Sequence, residues 1–484
     1  MALCVSAKAQ TGYSYKENYT PFAFADTSYK TEVLKHVKER YVFLIDSLSK
    51  KSRDKKKLYE TIFSDRYDYI KSEFDDNEFT WDDSLSLYLR GILNKLIAAN
   101  PEISGKKYLL TFRSSVPNAA STGDGIILFN LGLLNRLRNE GEVAFVLGHE
   151  LAHDKYDHVL QSLVKYVQTV TDRDYKEKFE AAATSEYNAH HKLIQFMNGM
   201  LFSFNRHSRD HESEADSIGA LWMIKAGYNP EYAISALQLL DSVDREKYAD
   251  TINYNQIFSG NGYAFNNNWL QGTEFMQWYK SKEELTGENN DTVKTHPDCK
   301  KRIAGIRLLL LKQTATATGG NTSLENNINL RADFEIVQHF YDDGLYGASL
   351  YHSLQLIQVF PENAYLKAMI EKNLYFLYRS IKDHDFSAHT DAPSPYFSKN
   401  YNRFLFFINN IRSSELAALA TNFCKKNGGQ SNDPQLEYGN ILCLSLSPDK
   451  TSVETLVSDY THKHPGTKES KYLNEKLLTT KNKN

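Results

Sequence analysis

The 484-residue sequence predicts a mainly α-helical (α+β) fold, with one small β-sheet and a division into two domains. Three observations support this fold class. Apolar residues recur every three or four positions in residues 29–49 and 81–99, which is the spacing of amphipathic helices. Two short apolar runs, residues 108–113 and 125–129, lie on either side of a segment rich in turn-forming residues, and we expect them to be strands. Helical periodicity returns after residue 324. Turn-forming residues predict helix breaks at residues 227–230, 360–363 and 464–466.

The domain prediction follows changes in composition along the chain. We expect an N-terminal segment at residues 1–27, a first domain at 28–312, a linker at 313–324 and a helical domain at 325–484. The linker contains a run of Ala, Thr, Gly, Asn and Ser, which favours loop structure. The paired helices that follow resemble degenerate tetratricopeptide-type hairpins, and a generic helical bundle is the alternative.

Composition and charge argue against several kinds of partner and site. The 57 basic and 60 acidic residues give a net charge of −3, so the basic excess typical of nucleic-acid binding is missing. A transmembrane helix would need about 20 mainly apolar residues in a row, and we expect none. The four cysteines form no CxxC pair, so a zinc site made of thiolates is not expected.

The N-terminus carries part of an export-signal pattern. A short apolar run precedes Ala7-Lys8-Ala9, an A-x-A cleavage pattern. The run lacks a basic start and a full apolar core, so we interpret it as the remnant of an export signal, with a disordered end as the alternative. The expected location is therefore periplasmic or secreted, and a cytoplasmic location is the alternative.

Residues 149–153 read His-Glu-Leu-Ala-His, the HExxH pattern. On a helix, His149 and His153 lie one turn apart on the same face, so both imidazoles can reach one zinc ion. Glu150 lies beside them and can take a proton from a metal-bound water and return it to a leaving amine. Two surface histidines on a helix would be the alternative.

A third ligand is expected on a second helix, which begins near residue 208. Glu212 and Asp216 are four residues apart, so they share a face of this helix. One of them can bind the metal, and the other can accept a hydrogen bond from a ligand histidine and fix its tautomer. His211 competes as a ligand, but it is angularly displaced from Glu212 and has no matching partner one turn later. Glu214 points elsewhere.

Several ordered segments resemble the HtpX-like and CAAX-prenyl-protease-like zinc metallopeptidases, which are gluzincins of metallopeptidase family 48. In chain order these segments are Asn118-Ala119, Gly123-Asp124-Gly125-Ile126, Gly132-Leu133-Leu134, the HExxH pattern, His158, Arg209…Glu212…Ala215-Asp216, Ala226-Gly227-Tyr228-Asn229-Pro230 and Thr295-His296-Pro297…Arg302-Ile303. The resemblance covers residues 80–310. The lack of predicted membrane helices and the helical C-terminal part are most similar to the soluble, periplasmic BepA type, which has a tetratricopeptide domain.

The resemblance implies a zincin-type metalloprotease domain with one Zn²⁺ per chain. His149, His153 and Glu212 would match the metal ligands, and Glu150 would match the general base. Asp216 would match the acidic residue behind the ligands.

The resemblance also implies roles for four further residues. Asn118 and His296 fall where the family places residues near the substrate and the transition state, although His296 could instead cap a helix. Arg209 would lie behind the ligands or form a structural ion pair. His158 matches a family position to which we assign a structural role.

We therefore expect a zinc-dependent endopeptidase in the quality control of exported or envelope proteins. Its substrates would be unfolded or misassembled proteins or peptides, and the C-terminal helices could bind an envelope protein partner. Residues 125–130 are expected to pair with an extended substrate through backbone hydrogen bonds. One alternative is a chaperone-like assembly factor with a mostly latent protease site, and another is a helical scaffold with an inactive site.

The Asn- and Gly-rich residues 251–273 are expected to form a mobile loop. This loop lies between the Glu212 helix and His296, so it could bring His296 over the zinc. There His296 would either donate a hydrogen bond to the developing oxyanion or occupy the fourth zinc position and keep the enzyme latent.

Overall fold

The computed structural model describes residues 18–22, 27–103, 105–171, 209–243, 246–248, 251–260, 262–271, 299–311, 328–394, 397–427, 432–447 and 452–478. This part of the chain is mainly helical and contains one four-stranded sheet, which confirms the predicted fold class. Within the same ranges, none of the helices combines the length and the apolar character needed to cross a membrane. Contacts divide the chain into a sheet unit (residues 22–244 and 291–333) and a helical unit (residues 1–21, 245–290 and 334–484).

The helices and strands are numbered in chain order. The helices are α1 (Ser28–Lys51), α2 (Lys56–Asp75), α3 (Ser84–Ala99), α4 (Leu131–Leu134), α5 (Glu140–Lys155), α6 (His158–Thr171), α7 (Arg209–Lys225), α8 (Glu231–Leu240), α9 (Tyr254–Phe258), α10 (Cys299–Leu311), α11 (Ile328–Asp342), α12 (Tyr346–Ile357), α13 (Ala364–Asp383), α14 (Lys399–Asn410), α15 (Ser413–Asn427), α16 (Pro434–Leu444), α17 (Val453–Lys463) and α18 (Lys468–Leu473). The strands are β1 (Phe79–Thr80), β2 (Tyr108–Phe112), β3 (Ala119–Ser121) and β4 (Ile126–Asn130).

The sheet has the strand order β1-β2-β4-β3. Strands β2 and β4 match the two predicted strands and pair in parallel, while β3 pairs antiparallel with β4. The prediction that residues 125–130 pair with a substrate is wrong, because β4 already has a neighbour on each side. Strand β3 lies at the edge instead. With only three residues, it is too short to show a period of two in the sequence.

The amphipathic pattern of α1 builds the core of the sheet unit. Its buried apolar side chains, three or four positions apart, are Val33, Val37, Tyr41, Leu44 and Leu48. They pack in one cluster with buried side chains of α2, β2 and α6. Burying a large apolar side chain contributes about 1.5–3 kcal/mol, so this pattern is sufficient to fix α1 against the sheet.

Local capping sets the helix ends that position the site. The Asn139 side chain accepts a hydrogen bond from the Glu142 N–H and begins α5. Gly227 adopts a positive φ of 87° after α7, and α8 begins at Glu231. The helix stop predicted at residues 227–230 is therefore confirmed.

The helical unit follows the predicted breaks. Asn363 accepts a hydrogen bond from the Leu366 N–H and begins α13, as expected from the break at residues 360–363. Helices α17 and α18 lie on either side of residues 464–466, where the second break was predicted. The tetratricopeptide-like character of these helices remains a prediction.

The Asn-rich segment departs from its prediction. Within residues 251–260 and 262–271, the rings of Phe258, Phe265 and Trp269 are buried and lie 5.2–6.1 Å from the ring of Phe407 in α14. The prediction of a mobile loop is wrong there, because aromatic residues spaced among the asparagines pack against the helices. The segment groups with the helical unit, although the sequence assigned it to the first domain. The predicted linker, residues 313–324, and residues 1–17 lie outside the described residues.

Candidate metal centre

Two glycines allow helices α5 and α7 to approach closely. A Cβ atom on Gly219 would lie 2.7 Å from the backbone nitrogen of His149, and one on Gly148 would lie 3.0 Å from the Gly219 carbonyl oxygen. Contacts of this length between backbone atoms and a side chain would force the helices apart. The glycines therefore let side chains from both helices converge.

The converging atoms form a compact group of three possible ligands. His149 Nε2 and His153 Nε2 are 3.0 Å apart, and Glu212 contributes Oε2 at 3.7 Å from His149 Nε2 and Oε1 at 3.4 Å from His153 Nε2. Ligands about 2.0–2.1 Å from a tetrahedral zinc ion are separated by about 3.3 Å. The observed separations therefore fit a single ion, and the donor set of two imidazoles and a carboxylate suits zinc.

Glu150 lies on the same helix and is buried beside the ligands. Its Oε2 accepts a hydrogen bond of 2.8 Å from the Ser121 N–H of the edge strand β3. Burial raises the pKa of Glu150 to about 7 and the Glu212 charge adds to this, while the His149 charge and the Ser121 N–H oppose it. A carboxyl group with this pKa can both accept and release a proton near neutral pH.

His149 is held from behind by a buried ion pair. Its Nδ1 lies 2.9 Å from Asp216 Oδ1, so Nε2 is left to face the metal position. Arg302 of α10 binds the Asp216 carboxylate with two hydrogen bonds, from Nε at 2.6 Å and from Nη2 at 2.7 Å. Its Nη1 also lies 3.1 Å from Glu212 Oε2. One guanidinium thus positions both carboxylates.

These contacts keep the two carboxylates charged despite their burial. Burial alone would raise the pKa of Glu212, but the hydrogen bond to His153 and the charges of His149 and Arg302 hold it well below its usual value. Burial would also raise the pKa of Asp216, but the hydrogen bonds and charges of Arg302 and His149 together lower it. Glu212 is therefore ready to bind a cation without first losing a proton.

His153 is held from behind by a different arrangement. Its Nδ1 lies 2.9 Å from Nδ1 of His158, the first residue of α6. The Nε2 of His158 lies 3.1 Å from Glu214 Oε2. His211 stacks on the His158 ring with centroids 4.2 Å apart and does not belong to the ligand group.

A small cavity lies next to His149 and Glu150. Its other lining residues are Ala119, Leu133, Phe145, Val146, Leu240 and Arg302. Its volume for the centres of water molecules is about 10 Å³, which is room for about one water. The site thus has space for a water molecule beside the carboxylate of Glu150.

The structure brings five of the predicted site residues together. The residues brought together are His149, Glu150, His153, Glu212 and Asp216. Asn118 directly precedes β3, where its carbonyl accepts a hydrogen bond from the Asn130 N–H. The side chain of Arg209 and all of His296 lie outside the described residues.

Arg302 is a site residue to which the sequence alone assigned no role. It appeared only within the segment that resembles the family, after His296. Its helix also carries Lys300, Lys301 and Arg307, so neither spacing nor composition distinguishes the arginine that is buried. Its pairing with Asp216, 86 residues away in the sequence, is a result of tertiary packing.

Comparison with known proteins agrees with this geometry. Residues 84–309 match the model of peptidase family M48. The chain is 28% identical over 184 residues to the mitochondrial metalloendopeptidase OMA1 of Schizosaccharomyces pombe, which covers 37% of this chain and 51% of that protein. It is 26% identical over 219 residues to protease HtpX of Legionella pneumophila, covering 42% of this chain and 70% of that protein.

A third relative is metalloprotease YcaL of Escherichia coli, which is 27% identical over 133 residues, or 28% of this chain and 50% of that protein. The chain thus spans about half the length of the Schizosaccharomyces pombe and Escherichia coli relatives. The family match covers all three possible ligands, since they fall inside residues 84–309. The chain therefore contains a peptidase family M48 domain, at residues 84–309.

Proposed function

We propose that this protein is a zinc-dependent metalloendopeptidase with one zinc ion per chain. The observation that supports this most strongly is the group formed by His149, His153 and Glu212, whose ligand atoms all lie within 4.8 Å of one another. Three protein ligands with a fourth position for water or substrate are typical of catalytic zinc sites. Two of these relatives are a metalloendopeptidase and a metalloprotease, which supports the same activity.

In this proposal the residues of the site have distinct roles in peptide hydrolysis. His149, His153 and Glu212 would hold the zinc ion, which would lower the pKa of a water molecule and polarise the scissile carbonyl. Glu150 accepts the proton of the attacking water and later delivers it to the leaving amine. The Ser121 N–H holds the Glu150 carboxylate in place, while Asp216 orients His149.

The edge strand supports extended polypeptides as substrates. The Thr122 N–H bonds to the Ile126 carbonyl and the Asn118 carbonyl accepts from the Asn130 N–H, so these groups point toward β4. In a strand, alternate residues point their backbone groups to opposite sides. The backbone groups of Ala119 therefore point outward, on the side where the Ser121 N–H meets Glu150. Backbone pairing there would accept many sequences, as unfolded proteins require.

We further propose that the substrates are unfolded or misassembled proteins in the periplasm or outside the cell. The A-x-A pattern at residues 7–9 supports this location, and the helical unit would bind a protein partner. Cell fractionation tests the location, because recovery of the protein only in the cytoplasm would contradict it.

The activity is tested by zinc content and casein cleavage in the wild type and in Glu150→Gln. The variant keeps the shape of the side chain but cannot accept a proton. We therefore expect about one zinc per chain in both proteins and a loss of cleavage by about two to four orders of magnitude in the variant. Glu140→Gln, on the same helix but bonded to Tyr228, is the matched control and should cleave normally. Wild-type cleavage by Glu150→Gln would reject Glu150 as the base.

A further inference from the structure

His158 and Glu214 form a second arrangement behind the metal position. Two ring nitrogens, His153 Nδ1 and His158 Nδ1, face each other at 2.9 Å. Only one hydrogen can lie between two nitrogens at this distance, so one of them donates and the other accepts. On its far side, the His158 ring meets the Glu214 carboxylate through Nε2 at 3.1 Å.

The direction of these hydrogen bonds follows from metal binding. If His153 uses the lone pair of Nε2 for zinc, its neutral ring carries the hydrogen on Nδ1 and donates it. The Nδ1 of His158 must then accept, and its own hydrogen sits on Nε2 and is donated to Glu214. A carboxylate can only accept, so Glu214 selects the tautomer of His158 that accepts from His153.

We propose that His158 is the positioning residue of the metal ligand His153, and that Glu214 sets the His158 tautomer. This inference rests on the proposed zinc site. The sequence suggested only a structural role for His158. The role proposed here is that His158 fixes the ring orientation and the tautomer of His153. Such partners behind a ligand typically contribute about 10–100-fold to metal affinity.

The local fold holds the His158 ring ready for this task. A short turn through Asp157, with φ of 54°, joins α5 to α6 and brings His158 back toward His153. The His158 side chain is 1% exposed, and its ring lies parallel to that of His211, with an angle of 3° between the planes. Glu214 is 47% exposed, so it can be changed without opening the core.

The first test measures zinc affinity by competition with a chromophoric chelator. His158→Ala removes the acceptor, and we expect zinc affinity to fall by about 10–100-fold. His158→Asn places Oδ1 close to the former position of Nδ1, so it should recover most of the affinity. Equal affinity of the wild type and His158→Ala, or of the Ala and Asn variants, would overturn the proposal.

The second test changes the His158 tautomer by substituting the exposed Glu214. It therefore does not require a variant with an altered buried residue to fold. In Glu214→Lys a donor replaces the acceptor, which favours the His158 tautomer that opposes the His153 hydrogen. We expect zinc affinity to fall by about tenfold. In Glu214→Gln the side-chain oxygen still accepts, and the affinity should stay within about twofold.

Ser213→Lys is the control for the added cation, because it places a lysine at the exposed neighbouring position, and Glu214→Gln is the control for the lost negative charge. It should bind zinc like the wild type. Unchanged affinity in Glu214→Lys, or an equal loss in Ser213→Lys, would overturn the role of Glu214. A wild-type protein that binds no zinc would instead reject the proposed function, so the two failures are distinguishable.

Discussion

Buried charged groups are treated differently in the two units of this protein. In the sheet unit, Asp216 and Arg302 are buried together and pair through two hydrogen bonds, with Glu212 beside them. In the helical unit, Glu371 of α13 is fully buried, yet neither carboxyl oxygen has a hydrogen-bond partner among the described residues. Asp216 and Glu371 are buried to nearly the same extent, so they differ mainly in whether the carboxyl group has a partner.

Pairing therefore decides which of these acids carries a charge. A buried carboxylate is stable only when opposite charges and donors replace the lost water. Burial tends to raise the pKa of Asp216, but the hydrogen bonds and charges of Arg302 and His149 together lower it. Burial raises the pKa of Glu371 well above its usual value, with Lys367 opposing only weakly. Charge is thus retained by Asp216 at the candidate metal centre and is suppressed at Glu371 in the helical unit.

The largest expected effect comes from breaking the pair in the sheet unit. Arg302→Met leaves two buried carboxylates without their cation, and removal of one partner from a buried ion pair costs about 3–5 kcal/mol. Denaturant unfolding of the zinc-free protein measures this loss. The matched control is Arg307→Met on the exposed face of the same helix, which should stay within about 0.5 kcal/mol of the wild type. Equal stability of the two variants would contradict the prediction.

The second prediction concerns Glu371 and has a defined sign with pH. Above about pH 4.5, the usual pKa of a glutamate side chain, the unfolded chain loses this proton and the native state keeps it. The native state therefore binds one more proton, and the free energy of unfolding falls by about 1.4 kcal/mol per pH unit from this group. The stability is complete below the unfolded pKa and is lost as the pH rises toward the native pKa.

Glu371→Gln removes this proton and keeps the shape of the side chain. We expect the stability of the variant relative to the wild type to increase as the pH rises from 5 to 7, by up to about 1.4 kcal/mol per pH unit while the native state keeps the proton. Because both proteins share every other titrating group, the difference isolates Glu371. Glu362→Gln, at an exposed position that pairs with Lys367, should show little change with pH. A constant difference across this pH range would mean that Glu371 is ionised in the native state.

The smallest expected effect comes from a variant that forces helices α5 and α7 apart but removes none of the charged side chains of the site. Gly219→Ala places a methyl group 2.7 Å from the His149 backbone nitrogen, and overpacking of this kind costs about 1–3 kcal/mol. Zinc affinity should fall as well, because the ligands lie on both helices. Gly91→Ala in α3 is the matched control. Apart from its chain neighbours and the backbone of its own helix, no described atom lies within 4 Å of the new methyl group, so the substitution should stabilise the helix by about 0.5–1 kcal/mol.

If Gly219→Ala unfolds like the wild type and binds zinc equally well, the close helix crossing does not set the ligand positions. A second outcome is informative in another way: zinc affinity falls while the free energy of unfolding stays at the wild-type value. It would show that the geometry of the charged cluster matters more for metal binding than for folding.

The sequence was informative wherever the signal is local. The period of α1, the breaks at residues 227–230 and 360–363, and strands β2 and β4 follow from residues close together in the chain. The segment at residues 251–271 was predicted wrongly because its asparagines and glycines indicate a loop. Its aromatic residues are held by contacts with a helix more than 100 residues away.

The sequence by itself determined which residues could share a face: His149 with His153, and Glu212 with Asp216. A helix repeats every 3.6 residues wherever it lies, so this information is local. Only the tertiary structure decided that α5 and α7 cross at two glycines, that Arg302 pairs with Asp216, and that Ser121 meets Glu150. These contacts join residues 29–86 positions apart, and such pairs are chosen by the packing of whole elements, which no local pattern encodes.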